Sequence, residues 1–341
     1  MYSTIAISPR PAMIDQRLAV NKLSKRDFID LMHFTKEELE HILRLGKQIK
    51  HSVNPAPSLL HKNIGLLFSV PSTRTRVSFQ VGARQLGGHA EYLNAKDLQL
   101  TNHESFVDTA RVLSRYLDAI VLRMYDMDAY GKGRGILNTI AENASIPVIN
   151  ALDDKGHPCQ VMADIMTLKE QFGEAYKSKK VVMTWGYSSR FKSPGVLHSM
   201  LAAGSLLGMN VTYAYPPGYE LDEEYVNFAR QAAAASGGTV QFSNRLEEAA
   251  QGADVIYVKS WQSLSMSKEM DAKVRNEIRP DWCLAEKHFE AAHPDAIYMD
   301  CLPQIRGEGV TAQVMDGKRS VIYDQAENRL HIQKAIMTDL I

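Results

Sequence analysis

Short apolar runs of strand length recur along this chain and alternate with longer segments of helical period. The runs are Ile64–Phe68, Ala119–Arg123, Ile146–Asn150, Lys180–Thr184, Asn210–Tyr213, Asp254–Val258 and Ala296–Met299, with His89–Leu93 as a further candidate. Such alternation implies α/β structure with parallel sheets. Helices are expected over 73–86, 104–115, 193–207, 221–235 and 324–341. Gly87-Gly88 and Gly237-Gly238 close two of them, and Pro194 suits the first position of a third. With 341 residues the chain suits about two domains. We expect two doubly wound parallel-sheet domains, 1–150 and 151–323, with a helix at 324–341 crossing back onto the first.

Composition narrows the function. The chain is 45% hydrophobic and 23% charged, and its formal net charge is zero. A neutral balance argues against a nucleic-acid binder and against a basic membrane-surface protein. No run reaches the roughly 18 uninterrupted apolar residues of a membrane span. The first 20 residues carry Arg10, Asp15 and Arg17 and lack the apolar core of a signal peptide. Cys159, Cys283 and Cys301 form no C-x-x-C pair, so no zinc ribbon or dithiol motif is present, and their spacing suits a reducing compartment. A cytoplasmic enzyme acting on small molecules is the expectation. Neither G-x-G-x-x-G nor G-x-x-x-x-G-K-[ST] occurs, and Gly131-Lys-Gly-Arg-Gly135 is read as lacking the strand-to-helix context of a nucleotide loop.

The sharpest local signal is Phe68-Ser-Val-Pro-Ser72-Thr73-Arg74-Thr75-Arg76, where a predicted strand meets a predicted helix. A helix N-terminus offers unpaired N–H groups and a positive dipole end to an anion. Ser72, Thr73 and Thr75 add hydroxyls, and Arg74 adds a bidentate fork. Arg76, two residues on, points to another face and is read as structural. Arg123 ends a predicted strand, the place where open α/β sheets bind ligands.

The string at 68–76 resembles the carbamoyl-phosphate loop of the aspartate/ornithine carbamoyltransferase family. Further motifs follow in the family's order: Asp118–Tyr125 with Arg123, His157-Pro-Cys159-Gln160, Asp300-Cys301-Leu302-Pro303, and Asp324–Arg329. The resemblance implies that Ser72, Thr73, Arg74, Thr75, Arg123, His157, Gln160, the Leu302 carbonyl and Arg329 hold carbamoyl phosphate. Gln99 is the candidate contributed by a neighbouring subunit, which implies a homotrimer. Arg123, His157, Asp300 and Cys301 would take part in the chemistry. No metal or other cofactor is implied.

The chain departs from the ornithine pattern. Asp300 stands where ornithine-type enzymes carry a His. Lys259, in Val258-Lys-Ser-Trp261-Gln-Ser-Leu-Ser265, stands where an Asp would hold an α-ammonium. A positive charge there repels that ammonium and attracts a carboxylate. Lys-Ser-Trp and Thr184–Pro194 resemble the acyl-ornithine branch, in which the chain passes through a proline-rich loop to form a shallow trefoil knot; the resemblance implies such a knot in the second domain, against which stands Pro194 as the only proline of the stretch. Lys259, Trp261, Asp300, Cys301, Arg190 and Arg306 are expected to line the acceptor site. The implied activity is carbamoyl transfer to an amine of an ornithine-like or N-acylated ornithine-like amino acid. Other acceptors (a diamine, a short diamino acid, aspartate) and a catalytically silent relative remain as alternatives.

Overall fold

A computed structural model describes residues 27–341 except Met127 and the side chains of Thr101 and Asn102. The N-terminal stretch read above lies outside them. The strands are β1 Asn63–Phe68, β2 His89–Asn94, β3 Ala119–Arg123, β4 Val148–Leu152, β5 Lys180–Trp185, β6 Asn210–Ala214, β7 Thr239–Ser243, β8 Val255–Lys259 and β9 Ile297–Asp300. The helices are α1 Lys36–His51, α2 Thr73–Gln85, α3 Phe106–Tyr116, α4 Lys132–Asn143, α5 Pro158–Phe172, α6 Gly195–Leu206, α7 Glu223–Ser236, α8 Leu246–Ala250, α9 Lys268–Ile278, α10 Glu286–Glu290, α11 Ala312–Met315 and α12 Ile322–Leu340.

The strands form two parallel sheets, in the orders β2-β1-β3-β4 and β7-β6-β5-β8-β9. Both are doubly wound, as expected. Strand order reverses between β1 and β3 in one sheet and between β5 and β8 in the other. Crevices at such reversals, outside the carboxyl ends of the strands, are where this architecture binds ligands. Strands β4 and β8 are buried along their whole length because helices cover both faces.

Helix α5 is buried continuously from Pro158 to Leu168, and α6 from Gly195 to Ser205. Neither shows the one-sided apolar stripe of a surface helix. The α12 helix packs against α1, α2 and α5. Among the described residues no helix is long and apolar enough to cross a membrane.

Some sequence expectations shift. Val148–Leu152, not 146–150, forms the fourth strand, and Pro147 precedes it. Pro194 caps α6 from outside. Strand β7 was absent from the expectation: Thr-Val-Gln-Phe-Ser is a half-exposed edge strand without a continuous apolar run. The glycine-rich Gly131–Gly135 does open a helix. Gly131 is the N-cap of α4 at φ +92°, and a Cβ on Gly133 would lie 2.4 Å from the Met124 carbonyl oxygen. The Asp154 carboxylate, 2.9 Å from Gly133 N and 3.0 Å from Arg134 N, already occupies that helix N-terminus as its acceptor.

Candidate active site

The phosphate-binding turn forms as its residues dictate. The Ser72 hydroxyl oxygen accepts from Thr75 N (3.2 Å), which caps α2 just beyond the end of β1. Arg76 stacks over the Tyr92 ring at 3.8 Å and donates to Gln80 (3.3 Å), the structural role expected of it. Thr73 is exposed in the first turn, and Arg74 is half-buried.

The adjacent strand supplies Arg123. Ser69 N donates to the Arg123 carbonyl oxygen (3.0 Å), which ties the exits of β1 and β3 together. Pairing between β3 and β4 slips by one residue after Leu122, so that Arg123 lies opposite Leu152. Such a bulge re-aims the side chain at the strand's end.

A single pocket is lined by Arg74, Gln160, Asp300, Cys301, Leu302, Ile322, Gln325, Ala326 and Arg329. All of these but Ile322 come from motifs singled out in the sequence, although they span α2, α5, the end of β9 with the turn after it, and α12. Buried Arg329 joins three of the segments: Nη1 donates to Gln160 Oε1 at 2.5 Å and Nη2 to Thr75 Oγ1 at 3.2 Å. Half-buried Arg123 has its pKa lowered to about 10, by desolvation first and by Arg329 and Arg74 as like charges. Burial also drives His157 well below the usual histidine range, assisted by Arg329, Arg123, Lys259 and Arg74, so its imidazole is neutral. The His157 backbone N–H donates to Ser199 Oγ (2.9 Å), which fixes the turn entering α5. Arg123 Nε, Arg329 Nε and His157 Nδ1 are buried without a hydrogen-bond partner. Donors concentrated in a desolvated site match a ligand bearing several negative oxygens.

The opposite wall comes from the second sheet. Asp300, at the end of β9, accepts from Tyr298 Oη (3.2 Å) and from Leu302 N (3.1 Å). Burial raises its pKa to about 6, against the pull of Lys192 and Lys259. Burial also raises the Cys301 thiol, so it is a neutral group here. Lys259, at the end of β8, is buried and donates to the Ser260 carbonyl oxygen (2.7 Å); burial lowers its pKa to about 8. The Leu302–Pro303 peptide is cis, and the Pro303 carbonyl oxygen accepts from Lys192 Nζ (3.1 Å).

Three expected acceptor residues are placed elsewhere. Trp261 is a core residue: fully buried, it donates its indole N–H to the Tyr219 carbonyl oxygen (3.0 Å) and packs edge-on against Tyr215. Arg306 is exposed and forms a two-point ion pair with Asp316 (2.7 and 2.6 Å). The Arg190 side chain is exposed, and Arg275 holds this loop by donating to the Ser188 and Arg190 carbonyl oxygens (3.0 and 3.5 Å). Gln99 lies in an exposed short turn and does not line the pocket.

The sequence reading missed Asp164, Gln325 and Lys192. Asp164 follows Gln160 by one helical turn, a polar pair within the apolar first two turns of α5 that marked it as a partner.

Two adjoining family models match the chain over nearly its whole length. They are the carbamoyl-phosphate-binding domain of aspartate/ornithine carbamoyltransferase over 26–170 and the aspartate/ornithine-binding domain over 179–340. The chain belongs to the aspartate/ornithine carbamoyltransferase family. It is 43% identical to the ornithine carbamoyltransferase of Thermococcus kodakarensis, over 93% of this chain and 97% of that one. The structure of the Pyrococcus furiosus ornithine carbamoyltransferase superposes with a TM-score of 0.84 at 43% identity, covering 94% of this chain and 98% of that one. An acetylornithine transcarbamylase complexed with acetylcitrulline superposes with a TM-score of 0.86 at 35% identity, covering 93% and 99%. Membership of this family makes the protein a carbamoyltransferase.

Proposed function

We propose that this carbamoyltransferase moves the carbamoyl group of carbamoyl phosphate onto the side-chain amine of an ornithine-like amino acid without a free α-ammonium, such as an N-acylated ornithine. The observation that carries the reading is the meeting of two unlike walls in one pocket. Arg74 and Arg329, with Arg123 beside them, supply positive charge suited to an anion, while Asp300 and Cys301 supply the groups suited to an attacking amine.

The α2 N-terminus and Arg74 hold the phosphate. Arg123, Arg329 and neutral His157 stabilise negative charge developing on the carbamoyl oxygen. The acceptor amine attacks as its neutral form. Asp300, ionised above about pH 6, takes the proton the amine sheds, and phosphate leaves with the electrons of the broken C–O bond. Cys301 packs beside the amine. Lys259 and Lys192 place positive charge next to Asp300, which suits an acceptor carboxylate and disfavours an α-ammonium. Solved relatives include a point mutant of N-acetyl-L-ornithine transcarbamylase complexed with carbamyl phosphate and N-succinyl-L-norvaline, an α-acylated ligand. In a homotrimer, exposed Gln99 completes a neighbouring copy's carbamoyl-phosphate site.

The test is turnover of carbamoyl phosphate with ornithine, N-acetyl- and N-succinylornithine, 2,3-diaminopropionate, 2,4-diaminobutyrate, putrescine and aspartate, following phosphate and ureido product. An N-acylornithine is expected to be the best acceptor, and Lys259→Ala to narrow its lead over ornithine by about tenfold, which corresponds to removing roughly 1.4 kcal/mol of discrimination. A wild-type preference for free ornithine would overturn the acceptor assignment.

A further inference from the structure

Asp164 lies behind the pocket, fully buried in α5. Its Oδ1 accepts from the amide nitrogens of Gln160 and Gln325, each at 2.7 Å, and its Oδ2 accepts from the Tyr257 hydroxyl at 3.0 Å. A carboxylate only accepts and a guanidinium only donates. Gln160 sits between one of each, Asp164 and Arg329. Its NH2 must therefore meet Asp164, and its carbonyl oxygen is left for the pocket side, where Arg329 Nη1 reaches it at 2.5 Å. Gln325 is oriented by the same logic: its NH2 is on Asp164, and its oxygen accepts the backbone N–H of Asp300 at 3.0 Å. Both amides line the pocket. One carboxylate thus sets the direction of two amides that belong to different elements.

We propose that Asp164 is a positioning residue that sets the hydrogen-bonding polarity of the carbamoyl subsite. By holding the Gln160 amide nitrogen, it presents the Gln160 oxygen as an acceptor for the carbamoyl NH2, and through Gln325 it fixes the backbone at Asp300. The inference rests on the reading that this pocket takes carbamoyl phosphate. Burial raises Asp164 to about 6 while its three donors favour the charged form, so at neutral pH it is an acceptor.

The consequence is selectivity between two acyl phosphates of similar shape. Acetyl phosphate carries a methyl group where carbamoyl phosphate carries NH2. In the wild type a methyl group adds no donor for the buried Gln160 oxygen, so acetyl phosphate binds poorly. In Asp164→Asn, residue 164 can donate as well as accept. The Gln160 orientation is then enforced from one side only, by Arg329, and the reason for rejecting a methyl group weakens.

The experiment uses the full chain as wild type, Asp164→Asn, Asp164→Ser and Tyr257→Phe, with melting curves to confirm folding. It measures the KM for carbamoyl phosphate and the inhibition constants of acetyl phosphate and inorganic phosphate. The ratio of the acetyl phosphate constant to that KM is expected to fall at least about tenfold in Asp164→Asn, with kcat reduced and inorganic phosphate binding within about threefold of wild type. Tyr257→Phe keeps both amide contacts and is expected to keep the ratio. Asp164→Ser, which also removes the carboxylate, carries the test should the Asn variant fail to fold. A folded, active Asp164 variant with an unchanged ratio overturns the inference and leaves the proposed function standing. Absence of ureido product from the wild type would instead remove the function on which it rests.

Discussion

The two walls of the pocket are built differently. On the anion side the reactive groups hold one another: Thr75, Arg329, Gln160 and Asp164 form a continuous buried hydrogen-bonded chain across α2, α12 and α5. On the acceptor side, charged side chains are held by backbone carbonyl oxygens, as Lys259 is by Ser260 and Lys192 by Pro303. A network of side chains fixes every member at once, and losing one orphans the others. Side chains tied to backbone can each be replaced without disturbing the rest. Under the proposed function, the first arrangement suits one invariant ligand and the second suits a substrate exchanged by single substitutions.

Breaking the anion wall should have the largest effect. Arg74→Ala is expected to lower kcat/KM for carbamoyl phosphate by about a thousandfold, read from initial rates at saturating acceptor. A loss of only a few-fold would mean that phosphate is held elsewhere.

Asp300 sharpens the contrast from the other side. Asp300→Asn is expected to lower kcat about a hundredfold, the usual scale for a lost general base. Because the carboxylate must be ionised to take a proton, wild-type activity should rise with pH through about 6, the value to which burial raises this group. The variant should lack that acid limb. A pH–rate profile that keeps the same limb in Asp300→Asn would assign it to another residue.

The smallest effect is expected at Arg306. Its two-point pair with Asp316 is exposed to solvent and apart from the pocket lining. Arg306→Ala should therefore change kcat/KM with the best acceptor by no more than about twofold, in keeping with the small worth of surface ion pairs.

What could be read from sequence follows the same division. Local chemistry and fold class pointed to Arg74 and Arg123, the family resemblance added Gln160 and Arg329, and the structure brings Arg74, Gln160 and Arg329 to one pocket. The acceptor wall was harder. Trp261 stands next to Lys259 in a suggestive string, yet its large apolar ring belongs to the aromatic packing around Tyr215 and Trp185. Arg190 and Arg306 are arginines in loops, and only three-dimensional placement separates a ligand-facing arginine from a solvated one. Asp164 had only its one-turn spacing from Gln160 as a signature, and Gln325 stood without a role inside the 324–329 string, because their contacts arise only where α5 meets α12. Strand β7 was missed for a simpler reason: an edge strand needs no continuous apolar run.

Arg329 donates to a threonine 254 positions earlier in the chain. During synthesis the phosphate turn and its strand emerge long before α12 does. A growing polypeptide therefore carries the Ser72–Thr75 turn without the guanidinium that spans it, and with the apolar faces of α1, α2 and α5 that α12 covers still open. Catalytic competence should consequently appear as a late event, together with the docking of α12, while the first sheet can form well before it.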